Sequence, residues 1–422
     1  MNKHAQASAA SRKAEVRQHD VVIVGGGLVG ASLAIALSRI GKDVALVEAA
    51  PPGALPPVFD QRNLSFAEAT VHALTTLGVM QALALPAAPI RRIHVSRAGD
   101  FGRVRLEAAE YGREAFGQVV VASDFGHALE ARLARADGLA RYRPARFTGL
   151  EDVADGMRLL RLALQDGREQ ALAARLLVAA DGTRSSVRGA LRIGTDAHDY
   201  GHDLFVARMR TARAPDGTAW ERFGPDGPTA LLPRGDGHYG VVHGVARDQA
   251  DAVAALDDAA WTARIQRAFG WRAGAFVATG PRSRYPAMRV LAERTTAPRA
   301  VLVGNAAQTV HPVGAQGFNL GLRDALTLAE LLEQPGMDPG SEALLAEYAR
   351  RREDDRGRTL AFSHGLAVAT MQPSPLARPL RSAGMLAAAR VPSLQGWLVG
   401  GAMGYRGDVP RLCRAPDAGS RA

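Results

Sequence analysis

The chain has 422 residues, 47% hydrophobic and 22% charged, with a formal net charge of +10. That length supports two or three domains with sizeable cores, and the balance is that of an ordinary globular protein. The single cysteine, Cys413, excludes an internal disulfide and any cysteine-based metal cluster, and it fits a reducing compartment.

Arginine is spread along the chain with no dense basic tract and no zinc-finger or RNA-binding spacing. Nucleic acid therefore ranks last as a partner, behind an anionic cofactor or an anionic membrane surface. Residues 1–19 lack the apolar stretch of a secretory signal and read as a disordered polar tail. VVIV (21–24) is a β-branched run, as in a strand buried on both faces. A Gly-rich turn, a helix ending at Gly41 and the strand DVALVE complete a βαβ unit. Residues 21–38 and 300–322 are long and uncharged apart from His311, but Gly, Pro and amide residues make each a strand–turn–helix unit.

Pro-rich 51–59 is a loop, 68–83 a helix and 91–121 a set of short strands. RLLVAADGTRSSVR (175–188) is a strand entering a second Gly turn. From about 195 to 285 short β-like runs alternate with turns such as GPDGP, interrupted by one helix, which predicts an inserted antiparallel sheet. After about 345 the pattern is helical and Arg-rich. The expected divisions are a tail at 1–19, a discontinuous nucleotide-binding domain at 20–190 and 285–345, and a substrate sheet at 191–284 with parts of 76–105. A helical region at 346–405 and a polar tail at 406–422, whose Cys413 is not expected to act as a nucleophile, complete the chain.

Gly25-x-Gly27-x-x-Gly30 lies between strand and helix, and Glu48 ends the next strand. The first Gly allows the tight turn, the second admits a pyrophosphate, and the third lets helix and strand pack. The helix N-terminus favours the diphosphate, and Glu48 suits ribose hydroxyls, so FAD or NAD fits better than NADP. A second Gly-rich loop, GNAAQTVHPVGAQGFNLG (304–321), holds Gly304, Asn305, His311-Pro312, Gln316, Gly317 and Asn319.

Three elements in order, GGGLVG with Glu48, AADGTRSSVR with Asp181-Gly182, and the 304–321 loop, resemble the flavin-dependent aromatic hydroxylases typified by p-hydroxybenzoate hydroxylase. The resemblance covers about 20–405. It implies an α/β fold: a Rossmann-like FAD-binding domain of the glutathione-reductase type, an inserted antiparallel β-sheet substrate domain and C-terminal helices. It implies FAD held by Gly25, Gly27, Gly30, Glu48, Arg62, Asp181, Gly182, Gly304, Asn305, Gln316, Gly317 and Asn319. It also implies NAD(P)H as a transient co-substrate, O2, hydroxylation through a flavin C4a-hydroperoxide, and no metal. His311 and Pro312 are the catalytic candidates beside the flavin, and Tyr285 a weaker one.

Gly304-Asn305 followed by AAQT, with RFGPDGPTALLP (222–233), resembles the ubiquinone-biosynthesis branch, and within it the 4-hydroxylases of 2-polyprenyl-6-methoxyphenol. This implies a polyprenyl phenol substrate, association with other ubiquinone-biosynthesis proteins, and a cytoplasmic enzyme peripheral on the inner membrane. The C-terminal segment with Arg378, Arg381, Arg390 and Arg406 is the candidate membrane surface. Alternatives are a hydroxylase of another phenol or ring position, and a non-catalytic flavin-binding subunit. Two positions depart from the branch: Gly314-Ala315 reverses its Ala-Gly, and His243 stands where it commonly has Trp.

Overall fold

A computed structural model describes residues 16–224, 227–371 and 377–415. Most of the predicted N-terminal tail, part of the GPDGP turn and the last part of the C-terminal tail lie outside these. The strand Arg17–Val24 is the centre of a parallel sheet. Val21 to Ile23 are fully buried, so both faces are covered. This strand pairs in parallel with Val44–Val47 on one side and Glu169–Ala179 on the other, and the latter pairs in parallel with Ala300–Leu302. The three sequence motifs follow the C-terminal ends of three of these strands, where open α/β sheets bind ligands. The helices Leu28–Arg39 and Gln316–Leu332 pack on one face of this sheet and on each other.

Among the described residues, a second sheet of eight strands follows the order Gln308–Thr309, Phe276–Ala292, Thr195–Thr211, Tyr239–Ala246, Gly227–Pro233, Thr218–Gly224, Arg92–Arg97 and Arg103–Glu107. Its neighbours are antiparallel except Thr218–Gly224 with Arg92–Arg97, which run parallel, so the expected purely antiparallel sheet is mixed. One face packs on the helix Asp258–Phe269, burying Trp261, Phe269, Phe205 and Val241. Alternation along each strand sends the other residues to the opposite face.

Several expected boundaries move. The first strand begins at Arg17, and His19 is buried against Tyr142, so 17–19 are not tail. The strand Phe276–Ala292 crosses the expected boundary at 285 without a break. Residues 92–107, not 76–91, join the second sheet. Cys413 is fully buried in a packed turn rather than in a polar tail, and burial pushes its thiol up to about 12. Near neutral pH that thiol is protonated and a poor nucleophile.

Three C-terminal helices follow: Glu342–Met371, Ala377–Arg390 and Pro392–Ala402. The first is bolted to the Gln316–Leu332 helix by buried charges. Arg323 meets Asp355 at 2.7 Å, and Arg352 reaches Asp324 and Asp355, each at 2.8 Å. No helix among the described residues is long and apolar enough to cross a membrane.

Candidate active site

One chamber of about 1240 Å³ runs between the two sheets. One end is walled by Gly25, Gly27, Glu48 and Asp181, and the other by Ile93, Val95, Ala230 and Leu232 of the second sheet. Met385 and Leu398 of the C-terminal helices border it, and the 304–321 loop lies between the ends.

The glycines of the first turn divide by what they touch. A Cβ on Gly30 would lie 1.9 Å from the Gly25 carbonyl oxygen. Gly25 has φ +106°, and a Cβ there would lie 2.5 Å from the Ala180 carbonyl oxygen. Both are required by the protein itself. Gly27 differs: φ is −72°, and a Cβ would meet only Val58 Cγ1, at 3.6 Å. It caps the helix Leu28–Arg39, whose first turn has neither a side-chain cap nor an acidic residue. Free N–H groups and room beside the backbone are what a diphosphate needs. Glu48 is oriented for the ribose by accepting from Gly26 N at 2.8 Å and Ala50 N at 2.7 Å. Each carboxylate oxygen keeps a lone pair for a hydroxyl. This set of donors fits FAD.

Asp181 accepts from Ser185 Oγ at 2.5 Å, Ser186 Oγ at 3.0 Å and Val187 N at 3.1 Å, so it fixes the start of the short helix Ser186–Ala190. Gly182 follows it at φ +85°. Arg188 donates to the carbonyls of Ala306 and Thr183, both at 2.8 Å, tying this turn to the 304–321 loop. In that loop, Gly304 and Gly321 serve protein packing: a Cβ on either would lie 2.9 Å from Val29 Cγ2. Asn305 is exposed to the chamber. Gln316 spends its amide nitrogen on the Gly314 carbonyl at 3.0 Å. Asn319 spends its whole amide: the oxygen accepts from Ala67 N and Thr70 Oγ1, and the nitrogen donates to Ser65 and Ala315 carbonyls. Asn319 therefore staples the loop and has no polar atom left for a cofactor. The reversed Gly314-Ala315 pair places both residues in the left-handed region, at φ +75° and +52°. An alanine there costs roughly 1–2 kcal/mol.

His311 is 1% exposed. Its Nδ1 accepts from Val313 N at 3.2 Å, so Nε2 carries the proton, and that atom has no protein partner. Burial, then the neighbouring His202, lower it to about 4. His311 is therefore neutral near pH 7, outside the range of an efficient acid–base catalyst, though able to donate a hydrogen bond. Pro312 borders the chamber. Tyr285 does not line the chamber; its hydroxyl donates to Asp60, and its ring lies under the Arg62 guanidinium, 4.3 Å from the centroid. Arg62 grips Asp60 through two side-chain bonds of 2.8 Å. Burial pushes the Asp60 carboxyl up, but bonds from Arg62 and Tyr285 outweigh it and hold it below the usual range. Its contribution is present above the ordinary carboxylate pKa and lost as pH falls through the lower folded value. Tyr285→Phe is expected to cost about 1 kcal/mol at pH 7 and to move this acid limb upward, read by urea unfolding across pH.

His243, the second departure, lies away from the chamber. Val242 faces the chamber; His243 points behind the sheet, where Nδ1 bonds Thr229 Oγ1 at 2.9 Å and the ring meets Trp261 edge-on. The departure changes the packing behind the sheet, not the pocket. Among the described residues no cluster of three or more His, Cys, Asp or Glu could hold a metal ion.

A dinucleotide cradle opening into an apolar chamber on a separate sheet defines a flavin-dependent aromatic monooxygenase. The family described as FAD binding domain matches residues 18–363, and the chain belongs to it. The chain is 36% identical over 351 residues to ubiquinone hydroxylase UbiL of Rhodospirillum rubrum, covering 82% of this chain and 80% of that protein. It is 30% identical over 387 residues to 3-demethoxyubiquinol 3-hydroxylase of Escherichia coli, covering 88% and 95%. In fold it is similar to p-nitrophenol 4-monooxygenase PnpA of Pseudomonas putida DLL-E4, with a TM-score of 0.77 at 19% identity over 93% of this chain and 99% of that one. A phenolic substrate, O2 and FAD with NAD(P)H follow from this membership.

Proposed function

We propose that this enzyme hydroxylates a polyprenylated phenol in ubiquinone biosynthesis, using NAD(P)H and O2. The observation that carries the reading is one largely apolar chamber continuous with the dinucleotide cradle, in a chain similar over most of its length to ubiquinone hydroxylases. FAD, when bound, supplies the redox and oxygen-transfer chemistry. Gly27, the first turn of its helix and Glu48 hold the cofactor's diphosphate and ribose. Asn305, Gln316 and Gly317 line the path to the ring system, and His311 offers its Nε2 proton as a donor there. The valine and leucine wall excludes water from the reacting end.

Leu380, Leu394 and Trp397 are exposed on the last two helices, and Phe101 on the adjoining strand turn. These apolar side chains beside the chamber support docking on a membrane surface, from which a prenylated substrate is drawn. Gly304-Asn305 favours the 4-position of the ring, whereas the Escherichia coli relative is named for the 3-position.

The test is deletion of the gene in its host with mass spectrometry of quinone precursors. Accumulation of a 2-polyprenyl-6-methoxyphenol, cleared by the wild-type gene, is expected. Accumulation of a demethoxyquinol instead would move the reaction to the 3-position. Unchanged quinone with no precursor would overturn the pathway assignment.

A further inference from the structure

From Arg103–Glu107 across to Tyr239–Ala246, the residues of the second sheet that border the chamber are apolar except at two positions. Strand pairing lines up one row across it: Val104, Val95, Glu221, Ala230 and Val242. Residues directly opposite in register share a face, and all five border the chamber. The flanking residues of the same strand and face, Ala219 and Phe223, border it too. Glu221 thus stands in the middle of a hydrocarbon wall, where an unpaired charge is costly. No hydrogen bond or ion pair to the Glu221 carboxyl is found among the described residues, and Glu221 borders the chamber. The other polar residue on this face is Arg97, opposite Phe223 on the adjoining strand.

We propose that Glu221 receives the substrate's phenolic hydroxyl: its carboxylate accepts that hydrogen bond, fixes the ring on the sheet and takes the proton as the ring is attacked. This rests on the reading of the protein as a phenol hydroxylase and names the group that reading lacks. In the transfer the phenol O–H bond breaks and an O–H bond forms on a Glu221 carboxyl oxygen. The electron pair stays on the phenol oxygen and enriches the ring carbons toward an electrophilic oxygen. Burial alone drives the Glu221 carboxyl up to about 7. A carboxylate of that basicity is still ionised slightly above neutrality and is a stronger base than a surface glutamate. The other charged or titratable groups facing this part of the chamber are Arg97 on the sheet, His311 and Arg323 from the loop and its helix, and Arg381 and Arg406 from the C-terminal region. Arginine keeps its charge throughout, and His311 is held at about 4, so a change centred near 7 belongs to Glu221.

The test uses the FAD-loaded full chain and two probes, 2-geranyl-6-methoxyphenol and its O-methyl ether, which lacks the proton. Binding is read from the flavin absorbance change, separately from turnover. The wild type is expected to prefer the phenol over the ether by about 10- to 100-fold at pH 8, with the preference fading as pH falls through about 7. Glu221→Gln should bind the ether as the wild type does, lose most of the preference, and show no limb near pH 7 in kcat/KM. Retained ether binding shows that the chamber is intact in the variant, which a merely structural role would not predict. A variant that still discriminates with the wild-type pH profile overturns the assignment of Glu221 alone. A wild type that binds neither probe overturns the phenol-hydroxylase reading as well.

Discussion

Gly27→Trp is expected to give a folded, colourless protein. The protein itself does not need glycine here, since a Cβ at 27 meets only Val58 at 3.6 Å. An indole extending from that Cβ fills the space beside the helix N-terminus where the diphosphate must lie. Loss of that contact is expected to cost at least about 4 kcal/mol of cofactor affinity, roughly a thousandfold. Purified protein should therefore lack flavin absorbance while its far-ultraviolet circular dichroism and urea midpoint stay near those of wild-type apoprotein. Gly30→Ala is the contrast: its methyl group would sit 1.9 Å from the Gly25 carbonyl oxygen, so that variant should lose stability before it loses flavin selectively. A yellow Gly27→Trp protein with normal turnover would remove the first turn from the cofactor site.

Arg352→Ala should be the most damaging change far from the chamber. Arg352 is about 1% exposed and joins Asp324 to Asp355, both of them buried. Without it, Asp355 keeps one of its two ion pairs, that with Arg323, and Asp324 loses its salt bridge to Arg352. Removing one partner from a buried charge network costs about 3–5 kcal/mol. The effect reaches the site because Asp324 also accepts from Gly304 N at 3.1 Å and Gln308 Nε2 at 2.6 Å. Burial raises the Asp355 carboxyl, but Arg323 and Arg352 more than offset this and hold it below the usual value. Its stabilisation is thus present above the ordinary carboxylate pKa and lost as pH falls through the lower folded value. The variant should unfold at lower urea, move its acid transition to higher pH, and lose flavin more readily on dilution. An unchanged urea midpoint at pH 7 would mean that the network contributes nothing net.

The parallel sheet was legible because a strand buried on both faces needs a continuous apolar run, and VVIV is one. The cofactor turn was legible because Gly25 and Gly30 meet steric constraints that no other residue satisfies, and Gly27 leaves room for a diphosphate. Side-chain roles were harder to read. In AWERFG both strand faces hold an aromatic and a polar residue, so alternation does not say whether Glu221 or Arg222 looks inward. The helix Asp258–Phe269, far along the chain, decides it by covering one face. The departure at His243 likewise did not show from sequence which face it lies on: it packs behind the sheet, one residue from the lining residue Val242. Asn319 was read as a ligand to the flavin because an amide in a Gly-rich loop has that capacity; three of its four bonds within the protein depend on strand and helix neighbours some 250 positions away. Cys413 was placed in a tail because its flanking residues are polar, and only tertiary packing buries it.

The long strand Phe276–Ala292 pairs with Thr195–Thr211 along most of its length, then with Gln308–Thr309 of the cofactor loop. Substrate wall and flavin loop are therefore one hydrogen-bonded ladder. Recombination between relatives can exchange the wall as a cassette only if the joints respect that ladder. A crossover at 284 would splice two parents in mid-strand, whereas joints near 194 and 293 would carry the strand whole and leave two edges to be matched: the Val290–Thr309 and Leu291–Gln308 pairs, and Thr218–Gly224 against Arg92–Arg97. Substrate range in this lineage is thus a transplantable trait, with its compatibility decided at those two edges.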